Sequence, residues 1–252
     1  MKKMSDTTEK TAAGLAAHAA AQEGMYYWYA TFGQAPTQAL LDQKRAQYPS
    51  MYTAANYSHA KAQVGAKGKR VYDCAGLVKS YWMQPGPTAP PVYKSAYDLS
   101  ANGLYQKCTQ RGALVGLPET PGALVFIVDA KNGTASHVGA YLGGGQVIDA
   151  ANFTKGVKKD AVKIRGWTHW GLLPEAWLTY ETVWKPGDRA RVKPGTKEYS
   201  PGVPMSSWVP GQVFTVAQAA DAKGKEVVRG GKRCVLLKEI VSWCAVEALE
   251  KV

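Results

Sequence analysis

Apolar and polar positions follow two different periods along this chain of 252 residues. The first third is helical in pattern. Residues 11–22 join strong helix formers to a Thr11 cap, and Gly24 supplies the stop. The aromatic run Met25-Tyr26-Tyr27-Trp28-Tyr29 follows. Residues 37–48 predict a second helix, with Leu40, Leu41 and Arg45 in register and Pro49 ending it. Asp73 is a good N-cap for a third helix, from Cys74 to about Trp82, closed by Pro85-Gly86-Pro87. The pattern then turns strand-like. Residues 123–128, 137–142, 146–150 and 157–164 predict strands, the second and third joined by the turn Gly143-Gly144-Gly145. Helices followed by an antiparallel meander make an α+β layout. Lys185-Pro186-Gly187-Asp188 marks a boundary, giving domains 1–183 and 184–252. Beyond it, five short runs (189–193, 212–217, 226–229, 233–237, 242–246) between Gly/Pro turns predict a small β-barrel.

Composition adds a charge. The chain is 46% hydrophobic and 20% charged, as in ordinary globular proteins, with a formal net charge of +12. That balance favours anionic partners: nucleic acid, anionic lipid or an acidic polymer such as a bacterial wall. Lys67-Gly68-Lys69-Arg70 is the densest basic patch and reads as a solvated loop. Nucleic-acid binding would need basic residues interleaved with aromatics on one surface, whereas the aromatics here sit mostly in apolar runs. The polar start and the interrupted Ala-rich stretch offer neither an export-signal core nor a membrane span. The expectation is a monomer made in the cytoplasm without its own export signal. The four cysteines form no C-x-x-C pair, so no zinc site is expected and no cofactor is implied. Cys234 and Cys244 read as free buried thiols rather than a cross-strand disulfide.

The candidate chemistry starts at Val71-Tyr72-Asp73-Cys74-Ala75-Gly76-Leu77. A thiol attacks a carbonyl as thiolate, and the first turn of a helix favours that form while offering N–H groups to an oxyanion. This run alone fits a buried structural cysteine equally well. His137 changes the picture, because it opens an apolar strand where a general base would stand at a sheet edge. If the glycine turn is centred on Gly144, Gly139 faces Asp149, and Asp149 becomes a diagonal neighbour of His137 on the same face. A register shifted by one would move it to the opposite face. His18 and His59 read as exposed. His169, between two tryptophans, suits packing or a substrate wall, and Cys108 has no base near it in sequence.

Three blocks carry a resemblance: Asp73-Cys74-x-Gly76-Leu77, Leu117-Pro118-x-x-Pro121-Gly122-x-Leu124-Val125-Phe126, and His137-Val138-Gly139-x-Tyr141-x-Gly143. Together they resemble the NlpC-type family of cell-wall cysteine peptidases, over roughly residues 11–180. Residues 25–33 resemble that family's aromatic segment, and Trp167-Thr168-His169-Trp170-Gly171 a segment of phage-type members. The resemblance implies a papain-like core with Cys74 as nucleophile, His137 as base and Asp149 as orienting residue. It implies a substrate side built from Tyr27, Asp73, Ala75 and Trp170. Three positions depart from the family: Ala75 stands where Ser is frequent, Asp149 where His is frequent, and Ala30-Thr31 where a Gly pair usually ends the aromatic block. The C-terminal piece resembles a bacterial SH3-like domain, which implies wall binding. The reading is a peptidoglycan hydrolase acting on the γ-D-glutamyl–diamino acid bond, with the N-acetylmuramoyl-L-alanine amide as the alternative bond. A non-catalytic wall-binding protein is the rival from another class. Release in phage lysis, or delivery as a toxin, would bring it to the wall.

Overall fold

The computed structural model describes residues 10–86, 89–180 and 184–252. The polar start, Pro87 and residues 181–183 at the expected boundary lie outside the described residues. The chain forms two compact units that divide after residue 181.

In the first unit, α1 (Ala12–Ala20) begins at the Thr11 cap, whose hydroxyl accepts from the Gly14 N–H at 2.9 Å. β1 (Tyr26–Tyr27) and β2 (Phe32–Gln34) follow. α2 (Gln38–Gln47) is capped by Thr37. α3 (Ala54–Ala62) is a helix with no apolar stripe in its sequence: only Ala60 is buried. Its start is set by the Thr53 cap, a local signal that hydrophobic periodicity does not see. β3 (Val71–Tyr72) runs between β1 and β2 in a small sheet and leads into α4 (Cys74–Met83). α5 (Ala101–Lys107) and β4 (Gln110–Ala113) precede the meander of β5 (Leu124–Val128), β6 (Ala135–Gly143), β7 (Gln146–Ala150), β8 (Val157–Ala161) and β9 (His169–Leu172). The main sheet has the order β4-β9-β5-β6-β7-β8.

Its apolar residues face two ways, as expected of a sheet covered on both sides. Leu124, Phe126 and Val138 pack with Leu15, Ala75 and Val78 from α1 and α4. Val125, Tyr141 and Val147 pack with Trp167. Among the described residues no helix is long and apolar enough to cross a membrane.

His18 is not the exposed histidine its surroundings in sequence suggest. It is half-buried, with Nε2 2.7 Å from Ser80 Oγ, and burial pushes it down to about 4. The Ser80 hydroxyl itself donates to Leu77 O at 2.7 Å, so Nε2–H donates to Ser80 and the ring is neutral. A base depressed in the folded state stabilises the fold above the unfolded value near 6.5, and that contribution is lost as pH falls towards 4. Thermal unfolding of the wild type should therefore lose on the order of 2 kcal/mol across that window. His18→Gln should flatten this part of the profile, and an equally steep profile in the variant would count against the assignment.

The second unit comprises β10 (Arg189–Val192), β11 (Glu198–Ser200), β12 (Val203–Pro204), β13 (Val213–Gln218), β14 (Val227–Arg229), β15 (Lys232–Leu237), β16 (Ser242–Ala245) and β17 (Leu249–Lys251). Strand pairing runs β14-β15-β13-β10-β17, with β16 also on β15 and β11-β12 as a separate ribbon. Among the described residues no pairing joins β14 to β17, so the sheet is open where the sequence predicts a small barrel. Its core holds Ala190, Val192, Phe214, Val216, Val235, Leu237 and Cys244. Cys234 stands opposite Ala245 and Cys244 opposite Val235, so the two thiols point to opposite faces and both are free.

Candidate active site

The Asp73 carboxylate accepts from the Gly76 N–H at 2.5 Å and from the Ala30 N–H at 2.9 Å. One buried side chain thus starts α4 and ties it to the loop after the aromatic run. Gly76 lets that loop in: a Cβ there would lie 1.8 Å from the Thr31 carbonyl oxygen. Ala30 itself has φ +59°, a conformation that favours glycine.

Cys74 is thereby placed as the first helical residue, where its own N–H has no intrahelical acceptor. The N–H groups of Val138 and Ala75 face the sulfur and favour the thiolate. They are outweighed. Burial, then the neighbouring Asp73 charge, pushes the thiol up to about 12. This differs from the expectation of a lowered thiol: burial is the main reason, and the buried capping carboxylate next to the nucleophile adds to it.

Across the β6–β7 hairpin, Ala140 pairs with Ile148, which sets Gly139 opposite Asp149. His137 and Asp149 are therefore diagonal on one face, and His137 Nε2 lies 2.6 Å from Asp149 Oδ2. The carboxylate is buried at 1% exposure. Because Nε2 is committed to Asp149, Nδ1 is the ring nitrogen left to serve a thiol. Gly139 leaves room for Trp167, whose ring stacks on His137 with centroids 5.4 Å apart and planes at 23°. A Cβ on Gly139 would meet Trp167 Cη2 at 3.0 Å.

The four expected substrate residues fare differently. Tyr27 is buried near Cys74 and Asp73, and burial raises its hydroxyl far above the ordinary tyrosine value, so it stays a neutral donor. It lines a cavity of about 350 Å³ with Met51, Asn56, Asn152, Phe153 and Thr154. Asp73 is a structural cap. Ala75 packs into the core at 4% exposure, so its side chain offers the substrate nothing and its N–H faces the sulfur. Trp170 sits on β9 opposite Val125 and against Gly112, two strands from His137. The tryptophan that covers the histidine is Trp167, three residues earlier.

Arg165 is the residue the sequence reading missed. It follows the 3-10 turn Val162–Ile164 that brings the chain back across the sheet from β8. It donates to the same Asp149 Oδ2 and lies 2.8 Å from His137 Nε2. Its guanidinium also stands 5.9 Å from the Trp167 ring centre. A lone arginine in a turn carries no motif that would have marked it. Among the described residues no cluster of His, Cys, Asp or Glu suits a metal ion.

A helix-borne cysteine beside a strand-borne histidine, with a carboxylate behind the ring, gives the first unit a papain-like core. Residues 61–174 match the NlpC/P60 family model. Two curated relatives are similar. The probable endopeptidase p60 of Listeria grayi is 33% identical over 131 residues, 48% of this chain and 22% of that protein. Its Listeria seeligeri counterpart is 34% identical over 103 residues, 41% of this chain and 17% of that protein. The chain thus spans about a fifth of the length of these relatives. Among solved structures, RipD of Mycobacterium tuberculosis, described as a non-catalytic NlpC/p60 domain protein adapted to peptidoglycan binding, covers 66% of this chain and 99% of its own. Its identity is 15% and its TM-score 0.37.

Proposed function

We propose that this protein is a peptidoglycan hydrolase that cleaves the γ-D-glutamyl–diamino acid bond of the stem peptide through Cys74, His137 and Asp149. The observation that carries the reading is the His137–Asp149 pair at 2.6 Å beside a helix-initial cysteine. The match of residues 61–174 to the NlpC/P60 family supports the wall as target.

The proposed cycle begins with His137 Nδ1 taking the Cys74 proton as the sulfur attacks the amide carbonyl. The carbonyl oxygen becomes an oxyanion, held by the Cys74 N–H and the Tyr27 hydroxyl. The protonated ring gives its proton to the leaving amine, and a thioester remains. Water then attacks the thioester with His137 as base, releasing the carboxylate product and the thiol. Asp149 keeps Nε2 engaged throughout and so holds the ring in place. The cavity beside Tyr27 takes one arm of the peptide. The second unit serves as an SH3-like wall-binding arm. In support, residues 185–252 carry 12 Lys/Arg against 7 Asp/Glu, and Trp208 is 60% exposed.

The test is mass spectrometry of fragments from purified peptidoglycan. The expected products carry a new amino terminus on the diamino acid. A new amino terminus on L-alanine would replace the endopeptidase reading by the amidase. Binding to the wall with no new termini would replace both by a non-catalytic wall-binding protein.

A further inference from the structure

Asp149 is shared. Its Oδ2 accepts from both His137 and Arg165, and the two donors stand only 2.8 Å apart. A carboxylate that stood behind the ring alone would favour the imidazolium, because it would be the nearest charge to the added proton. A guanidinium on the same oxygen cancels that advantage and adds its own repulsion. We propose that Arg165 is a positioning residue that shares the Asp149 carboxylate with His137 and so holds the free site as a neutral thiol and a neutral imidazole. The proposal rests on the reading of Cys74 and His137 as nucleophile and base.

The other charges around the ring do not replace Arg165. From α4, Cys74 and its neighbour Asp73 face the site, and Asp73 opposes a thiolate. From β8, Lys158 stands opposite Asp149 in register, but it is paired with Asp160. From the crossing segment come Arg165 and the uncharged Trp167. The Tyr27 hydroxyl near Cys74 is neutral. The thiol, held high by burial, is in keeping with a neutral pair. The proton then moves only as substrate is attacked: the S–H bond breaks, N–H forms on the ring, and the negative charge passes to the oxyanion rather than resting on sulfur.

The experiment is the rate of Cys74 alkylation by iodoacetamide from pH 5 to 10, read on the Cys74 peptide by mass spectrometry. It compares the full-length wild type, Arg165→Gln, Arg165→Lys and Arg165→Gln with Asp149→Asn. The wild type should show one rise, at alkaline pH. Arg165→Gln should gain a second reactive form at neutral pH, with a rate at pH 7 about tenfold above wild type or more. Arg165→Lys should keep the wild-type shape, and the double variant should lose the neutral step because no carboxylate remains to recruit the proton. An Arg165 with only a structural role would alter thermal unfolding in Arg165→Gln and leave the alkylation profile unchanged, and that result would overturn the proposal. So would a neutral-pH step already present in the wild type. If Arg165→Gln fails to fold, a neutral step in Arg165→Lys overturns the proposal and its absence supports it. Alkylation is read with no wall substrate present, so it stands apart from the functional reading, which fails instead if Cys74→Ala leaves wall fragments unchanged.

Discussion

Cys74→Ala should lower the release of wall fragments by at least about 10⁴-fold, the scale seen when a covalent nucleophile is removed. The loss should be chemical and not structural. The helix start is held by Asp73, through Gly76 and Ala30, and none of those bonds uses the sulfur. The truncation removes a single sulfur atom and leaves the backbone in place, so the melting temperature should move by the equivalent of about 1 kcal/mol. The other three thiols are poor substitutes. Cys108 is buried against Gly171, and Cys234 and Cys244 lie in the β-sheet of the second unit. The measurement is fragment yield against time, with unfolding followed in parallel. A variant within tenfold of wild type would place the nucleophile elsewhere.

Gly76→Ala should be among the most damaging small substitutions in the first unit. The added methyl would overlap the Thr31 carbonyl oxygen at 1.8 Å and crowd Asp73 Oδ1 at 2.9 Å. The obstacle is backbone. That carbonyl also accepts the Asp73 N–H at 2.9 Å, so the loop cannot retreat without loosening the cap. A cost of about 3 kcal/mol is expected, at the upper end for overpacking. For a chain of this size, that is roughly 6–12 °C in melting temperature. Activity should fall with it, because Cys74 is positioned by the same cap. A variant that melts as the wild type does would mean the loop has room the structure does not show.

The two substitutions bear on what a sequence can reveal. Each N-cap foreseen (Thr11 and Asp73) rests on a side chain bonding a backbone N–H three residues on, which is purely local. The β6–β7 register was legible only conditionally: Gly143 pairs with Gln146 at the turn, and an irregularity between Gly143 and Tyr141 restores the register that a turn centred on Gly144 would give. α3 was not legible, since its polar sequence has no stripe to read. Nor was the identity of the tryptophan over His137. Trp167 and Trp170 are three residues apart in one run, and only the path of the chain across the sheet decides which ring reaches the histidine.

By itself, then, the sequence determined the helices with capping side chains and the meander, because each follows from contacts near in sequence, and it offered the pairing of His137 with Asp149 for one of two registers. The tertiary structure alone decided the electrostatics. Burial raises the thiol, and the capping carboxylate that positions it adds to the effect. A turn 16 residues beyond Asp149 delivers Arg165 to the same carboxylate oxygen as His137. Charge in a buried site depends on which groups meet there, and chain separation says nothing about that.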